Sequence, residues 1–341
     1  MTKNGVSSRQ IRLKQFSSIP YNTDIRHKYK DSSNIGSNAS TKDNNWNVIL
    51  SGMSTKNMTR EQEKVAVVTG SSSGIGYETS LFLARNGFIT YATMRNLNKS
   101  DNIRLIATKE GLPIRIKQLD VTDDLSVKNA IQSITDEASR IDVLVNNAGY
   151  ALNGAFEDLA MEEIKDQYET NVFGVIRVTQ AVLPIMRNQK SGTIVNISSG
   201  TVTMGGFPGG SAYISTKYAI EGLSKSMAYE LEPFGIRVVL VEPGVIRTNL
   251  VNSVVAAKKS QDPNSPYSQI MQKMAANFEP MSKNGSFADV VANVVLNAVT
   301  SESPSPKYPA GKDIETLIEA KRSMPDEEFS KMIMQNLNLQ L

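Results

Sequence analysis

The sequence predicts an α/β fold in which a doubly wound parallel sheet lies between two layers of helices (α/β/α), all within a single domain. Three observations carry this. From Val65 onward, short β-branched apolar runs alternate with longer stretches of helical period. Each run gives way to a polar or glycine-rich turn. With 40% hydrophobic and 21% charged residues, the 341-residue chain can bury one large core.

The runs 65–69, 88–94, 114–119, 142–145, 193–197 and 238–241 predict six parallel strands. Helices are expected at 76–85 after the first strand, 125–139 after the third, 161–187 after the fourth and 212–232 after the fifth. The last two are longer than a sheet edge requires and are able to pack against another subunit. Past Thr248 the rhythm breaks. Residues 249–286 form a polar, Met-containing insertion before a helix at 288–298, and an excursion beyond the last strand's carboxyl end predicts a lid.

Residues 1–60 stand apart. They hold ten Lys/Arg against three Asp/Glu, so the remaining residues carry −4 of the chain's net +3. Composition favours a disordered, solvated leader, with 61–341 as the folded domain. The first thirty residues carry seven basic residues and one acid, Asp24, which also fits a transit peptide, and Met53 and Met58 before Lys64 leave a later start as a third explanation. The expected location is cytoplasmic, or organellar if the leader is a transit peptide. No stretch approaches the roughly 20 apolar residues of a membrane span, and nucleic acid is not an expected partner. The absence of cysteine and the single histidine, His27, argue against thiolate metal sites, disulfides and a Ser-His-Asp triad, so no metal is expected.

The first strand runs into Thr69-Gly70-Ser71-Ser72-Ser73-Gly74-Ile75-Gly76, with the helix beginning among the glycines. Small residues there let backbone approach a pyrophosphate at the helix's positive end. The spacing Gly-x-x-x-Gly-x-Gly, preceded by Thr69, resembles the short-chain dehydrogenase/reductase family, whose fold is Rossmann-type. That resemblance extends over nearly all of 64–341. It implies adenine contacts from Asp120 and Val121, and a loop shaping the adenosine side of the site from Asn146, Asn147, Ala148 and Gly149. It also implies that the backbone of Asn171 holds a water on a proton path, and that the turn containing Pro243, Gly244, Ile246 and Thr248 fixes the nicotinamide carboxamide. Gly70, Ser71, Gly74, Ile75 and Gly76 complete the implied cofactor contacts.

The central element is Tyr213-Ile214-Ser215-Thr216-Lys217, because positions i and i+4 of a helix share a face. Tyrosine alone titrates at about 10, and bringing it near neutrality requires about 4 kcal/mol in favour of phenolate. Lys217 and a cationic nicotinamide ring are the expected sources. A second pair, Tyr308 and Lys312, is separated by Pro309 and Gly311, which exclude a helical i, i+4 arrangement and assign Tyr308 a structural role. Upstream, Ser199 matches the family serine that orients the substrate oxygen. Its fourteen-residue interval to Tyr213 is one longer than in many members, so a one-residue bulge is expected around Gly205-Gly206; Ser198 is the alternative.

A carboxylate at the end of the second strand would hold the ribose hydroxyls of NAD, whereas a cation accommodates the extra phosphate of NADP. Tyr91-Ala92-Thr93-Met94-Arg95-Asn96 offers no acid, and Arg95 presents a planar donor fork. NADP(H) is therefore the expected preference, with assistance from Ser71, and NAD(H) remains possible. Segments 91–96, 241–248 and 311–322 resemble the hydroxysteroid and retinol dehydrogenase-like branch. That implies a small-molecule carbonyl or alcohol substrate of apolar character; Met271, Met274, Phe278 and Met281 either line its pocket or form an ordinary helix face. The family also implies a homodimer or homotetramer. The competing readings are a dinucleotide-binding sensor without catalysis, which the intact Ser, Tyr and Lys oppose, and an epimerase or dehydratase, which the glycine spacing opposes.

Overall fold

A β-branched strand between two layers of helices is buried on both faces, and β1 (Val65–Val68) shows that environment at its limit. Its four residues are at most 1% exposed. Val65 and Val67 point into one apolar cluster, and Ala66 and Val68 into another, which is the period-two alternation of a strand buried on both sides. The computed structural model describes residues 63–247 and 254–339; the expected leader and Thr248 lie outside them.

From β1 the chain enters α1 (Gly74–Arg85), β2 (Ile89–Met94), α2 (Asp101–Glu110), β3 (Ile114–Gln118), α3 (Asp124–Ala138) and β4 (Val143–Asn146). A short strand, β5 (Ala151–Asn153), precedes α4 (Met161–Tyr168), and after a π-helical turn at Glu169–Phe173 comes α5 (Gly174–Gln189). Then follow β6 (Gly192–Ile197), the short α6 (Thr201–Met204), α7 (Ser211–Leu231), β7 (Ile236–Pro243) and β8 (Ile246–Arg247). The last part comprises β9 (Val254–Ala256), α8 (Ser268–Asn284), β10 (Ser286–Phe287), α9 (Ala288–Thr300), β11 (Lys307–Ala310), α10 (Lys312–Ser323) and α11 (Asp326–Asn336).

The main sheet has seven strands in the order β11-β7-β6-β4-β1-β2-β3, every pair parallel. The fold is the predicted Rossmann-type α/β, with one strand more than the six expected. The added strand, β11, contains Pro309, which lacks an N–H and so breaks a strand pattern in sequence. At the sheet edge it costs no ladder bond. On one face of the sheet, Val291, Val295 and Val299 of α9 pack with Leu83 of α1; on the other, Ile131 and Ile134 of α3 join Val178, Val182 and Met186 of α5. Each such buried side chain contributes about 1.5–3 kcal/mol.

Three further differences have local causes. Helix α2 was not expected because only Ile103 among its ten residues is buried, leaving little apolar periodicity. The expected continuous helix 161–187 is interrupted by the π-helical turn. Within the predicted insertion, Met274 is buried against Phe329, Ile333 and Leu337 of the C-terminal segment, whereas Phe278 and Met281 are exposed. The helix-face alternative therefore describes Met274.

The order in which strands are added reverses between β1, which leads to β2 and β3 on one side, and β4, which leads to β6, β7 and β11 on the other. Crevices at the carboxyl ends of strands where the order switches are where this architecture binds ligands. The glycine-rich turn after β1 and the Asn-Asn-Ala-Gly loop after β4 flank that point.

Candidate active site

The two loops at the switch point are bonded into one unit. Asn147 donates through Nδ2 to the carbonyls of Thr69 (2.8 Å) and Gly70 (3.2 Å), and the Thr69 hydroxyl accepts the N–H groups of Asn147 and Ala148, both at 3.0 Å. This closeness explains the glycines. A Cβ on Gly70 would lie 2.9 Å from Ala148 Cα, and one on Gly76 would lie 2.4 Å from Asn147 Nδ2. Gly70 and Gly74 also adopt φ of 71° and 61°, which L side chains adopt with difficulty. Helix α1 starts after Ser73 without a side-chain cap and without an acid in its first turn, leaving first-turn N–H groups for an anion. Ile75 packs on the adjoining core face. The cradle fits a dinucleotide's pyrophosphate.

Ser71 does not fit the role expected of it. It is fully buried; its hydroxyl donates to the Val68 carbonyl at 2.9 Å and pairs with Ser80 at 3.0 Å, while its N–H donates to Thr93. Its bonds tie the turn to β1 and β2, so the hydroxyl is not offered to a phosphate. Arg95, by contrast, is exposed at the end of β2, and its guanidinium makes no hydrogen bond among the described residues. Asp120 accepts the N–H (3.0 Å) and hydroxyl (2.8 Å) of Thr122, which pins the turn after β3. Val121 packs so tightly on α5 that a Cβ on Gly174 would stand 2.8 Å from it.

Across the crevice, the end of β6 meets the start of α7. Tyr213 lies in the first turn of α7 and Lys217 in the next, on the same face, with the ammonium 5.6 Å from the phenol ring centroid. The Ser199 hydroxyl lies beside the Tyr213 phenol and accepts the N–H (3.3 Å) and hydroxyl (3.0 Å) of Thr201. Ser198 faces away and donates to Glu221 at 3.2 Å, so geometry separates the two serines. Between Ser199 and Tyr213 the chain passes through α6 and turns at Gly205 and Gly206, with φ of 85° and 143°, and at Gly209, with φ of 85°. Asn171 sits in the π-helical turn. Its side chain brackets the Tyr150 backbone, accepting the N–H at 3.0 Å and donating to the carbonyl at 2.8 Å, and also donates to Thr216. The Thr216 hydroxyl in turn donates to the Tyr213 carbonyl. A Cβ on Gly149 would meet Asn171 Oδ1 at 3.0 Å.

In the chain without its cofactor, burial pushes the Tyr213 phenol up, opposed by the neighbouring Ser199 hydroxyl. Burial also brings Lys217 down to about 8, and its Nζ donates to the Ile197 carbonyl at 2.8 Å. That carbonyl holds the ammonium in place, 5.6 Å from the phenol ring centroid.

At the end of β7, Pro243 accepts the Gly200 N–H at 2.8 Å, binding this turn to the Ser199 loop, and Ile246 is buried. Two features escaped the sequence reading. Lys307 of β11 donates to both oxygens of Glu221 and, at 2.8 Å, to Glu242. Burial pushes Glu242 up, whereas Glu221 is held below the ordinary carboxylate range because bonds from Lys307 and other neighbours outweigh its burial. The other feature is Asp313, which accepts the Val245 N–H at 2.7 Å. Glu242 beside Pro243, and Glu221 one turn beyond Lys217, were the available signals for the first; the second joins positions 68 residues apart.

Comparison with known proteins agrees with this arrangement. The profile of the short chain dehydrogenase family matches residues 64–259. The chain is 36% identical over 279 residues to an uncharacterized oxidoreductase of Bacillus subtilis, YusZ, covering 81% of this chain and 99% of the relative. It is 34% identical over 266 residues to a 3-ketodihydrosphingosine reductase of Bacteroides thetaiotaomicron, covering 78% and 94%. Among solved structures, a short-chain dehydrogenase from Streptomyces avermitilis superposes with a TM-score of 0.68 at 31% identity, covering 82% of this chain and all of the other. An alcohol dehydrogenase from the archaeon Thermococcus sibiricus, complexed with 5-hydroxy-NADP, gives 0.59 at 25% identity, covering 72% and 95%.

Proposed function

This chain belongs to the short-chain dehydrogenase/reductase family, and from that premise we propose that it is an NADP(H)-preferring oxidoreductase interconverting a carbonyl and an alcohol on an apolar substrate. The observation that carries the reading is the meeting of Ser199, Tyr213 and Lys217 where β6 ends and α7 begins. The nicotinamide supplies the hydride when bound. Tyr213 gives its phenolic proton to the carbonyl oxygen, or takes the hydroxyl proton in the reverse direction. Ser199 donates to the same oxygen and stabilises its developing charge. Lys217 holds the ribose, and the π-helical turn at Asn171 loosens the helical hydrogen-bond ladder where a proton-carrying water would sit. Because burial raises the phenol, its lowering falls to the Lys217 ammonium and the cationic ring.

Residues of the glycine cradle, with Asp120, Val121, Asn147, Ala148 and Gly149, would hold the dinucleotide, and Pro243, Gly244, Ile246 and Thr248 its nicotinamide end. Preference for NADP(H) rests on exposed Arg95 and the lack of an acid over 91–96. Two complexes among similar structures contain NADP or a derivative of it. An apolar substrate is supported by Met204 and Phe207, half-buried in the segment that leads to Tyr213. The likeness to a protein named 3-ketodihydrosphingosine reductase supports a ketone within this class. Exposed Phe173 at the end of the π-helical turn and exposed Tyr229 on α7 suit a homo-oligomer. No helix among the described residues is long and apolar enough to cross a membrane.

The test is a panel of aldehydes and ketones of increasing chain length, assayed with NADPH and NADH by loss of nicotinamide absorbance. The reading requires turnover with NADPH that improves with apolar length. Binding of NADPH without turnover of any member would favour a dinucleotide sensor.

A further inference from the structure

The turn assigned to the nicotinamide end of the site is fastened from a part of the chain beyond the residues that match the family profile. Ala310, the last residue of β11, accepts the Gly244 N–H at 3.0 Å. The chain then turns at Gly311, with φ of 126°, and enters α10, where Asp313 Oδ2 accepts the Val245 N–H at 2.7 Å. The fit admits only glycine. A Cβ on Gly244 would stand 2.3 Å from both carboxylate oxygens, and one on Gly311 would stand 2.7 Å from Oδ1.

The other oxygen, Oδ1, is buried with no hydrogen-bond partner among the described residues. A buried carboxylate oxygen without a donor is unfavourable for folding. Fold stability therefore gives a poor account of an aspartate at this place, whereas a fixed Gly244–Val245 peptide gives a good one. The same segment reaches the other parts of the site. Ile314 packs against Gly200, beside Ser199, so closely that a Cβ on the glycine would lie 2.7 Å from its Cδ1. Lys321 donates to the Thr203 carbonyl at 3.2 Å. Phe329, Ile333 and Leu337 close over Met274 of α8.

We propose that Asp313 is a positioning residue for the nicotinamide end of the site, its carboxylate holding the Gly244–Val245 peptide in the one conformation that presents Ile246 to the carboxamide. This rests on the functional reading above. Through α10 and α11, the turn, the Ser199 loop and α8 share one support, so the C-terminal segment sets their mutual placement.

Asp313→Ala and Asp313→Asn in the full-length protein test this. An asparagine keeps an acceptor for the Val245 N–H; alanine removes it. Three measurements are made: affinity for NADPH, affinity for the adenosine bisphosphate fragment that lacks nicotinamide, and kcat and KM with the best carbonyl substrate. The alanine variant is expected to lose NADPH affinity and kcat by roughly 10- to 100-fold while binding the fragment as the unaltered protein does. The asparagine variant should stay within about threefold of the unaltered protein on all three. Equal loss of fragment and NADPH affinity in the alanine variant would assign Asp313 a general structural role and overturn the proposal, as would an asparagine variant no better than alanine. If the unaltered protein binds neither NADPH nor the fragment, the functional reading itself fails and the inference falls with it.

Discussion

Two stretches of this chain place a lysine four residues after a tyrosine, and the structure gives them opposite surroundings. Tyr213 and Lys217 occupy successive turns of α7, where a rise of about 1.5 Å per residue keeps them about 6 Å apart along the axis. Both are drawn into the protein, with Lys217 only 9% exposed. Tyr308 lies on the edge strand β11, where the rise is about 3.3 Å per residue, and its hydroxyl accepts the Ser305 N–H at 2.9 Å. Lys312, past the Gly311 turn, is exposed. The interval of four is thus the same statement in sequence and a different one in space. Only a helical backbone converts it into a shared pocket, and only the serine at the end of β6 gives that pocket a third member.

Paired substitutions sharpen this contrast, and the largest effect is expected at the tyrosines. Tyr213→Phe should lower turnover by about 10³- to 10⁴-fold while leaving NADPH binding in place, because acid/base transfer is lost and the ring is kept. Tyr308→Phe should leave turnover unchanged and lower stability by about 1 kcal/mol through the lost bond to Ser305. Steady-state rates and denaturant unfolding of both variants check this; retained turnover in Tyr213→Phe would erase the distinction. The serines come next. Ser199→Ala is expected to cost about 10²-fold in kcat. Ser198→Ala, whose hydroxyl serves Glu221, should act mainly on stability and leave kcat within about threefold.

What the sequence disclosed follows the same division between local and distant causes. Six strands, their order of appearance and the glycine turn were legible because each is a pattern within a dozen residues. β11 was hidden by Pro309, whose harmlessness depends on its edge position, and edges are a property of the assembled sheet. Ser71 was misread because sequence does not show which way a turn serine points. The Ile197 carbonyl that holds the Lys217 ammonium was out of sight for a related reason: it lies on a different element, 20 residues earlier. Asp313 was beyond reach, since its partner Val245 lies on a different element.

The remaining contrast lies in the lysines, and pH separates them. Folded Lys217 gives up its proton near 8, because its buried ammonium is poorly solvated, whereas an unfolded lysine keeps it to an ordinary 10.5. Between these values unfolding takes up a proton, so the stability of the native chain rises with pH across that window, and below 8 the full cost of the buried charge is present. The gap corresponds to about 3 kcal/mol. At neutral pH, Lys217→Met removes that cost but also leaves the Ile197 carbonyl without its donor, a loss of about 1–3 kcal/mol, so the two variants should unfold at similar denaturant concentrations. The contrast appears on raising the pH: the unaltered protein should gain up to about 3 kcal/mol on Lys217→Met between 8 and 10.5. Lys312→Met, at an exposed helix start, should track the unaltered protein within about 0.5 kcal/mol throughout. Urea midpoints of the three proteins across that range measure this directly. Parallel curves for Lys217→Met and the unaltered protein would mean that Lys217 is solvated like Lys312, and the electrostatic half of the comparison would be lost.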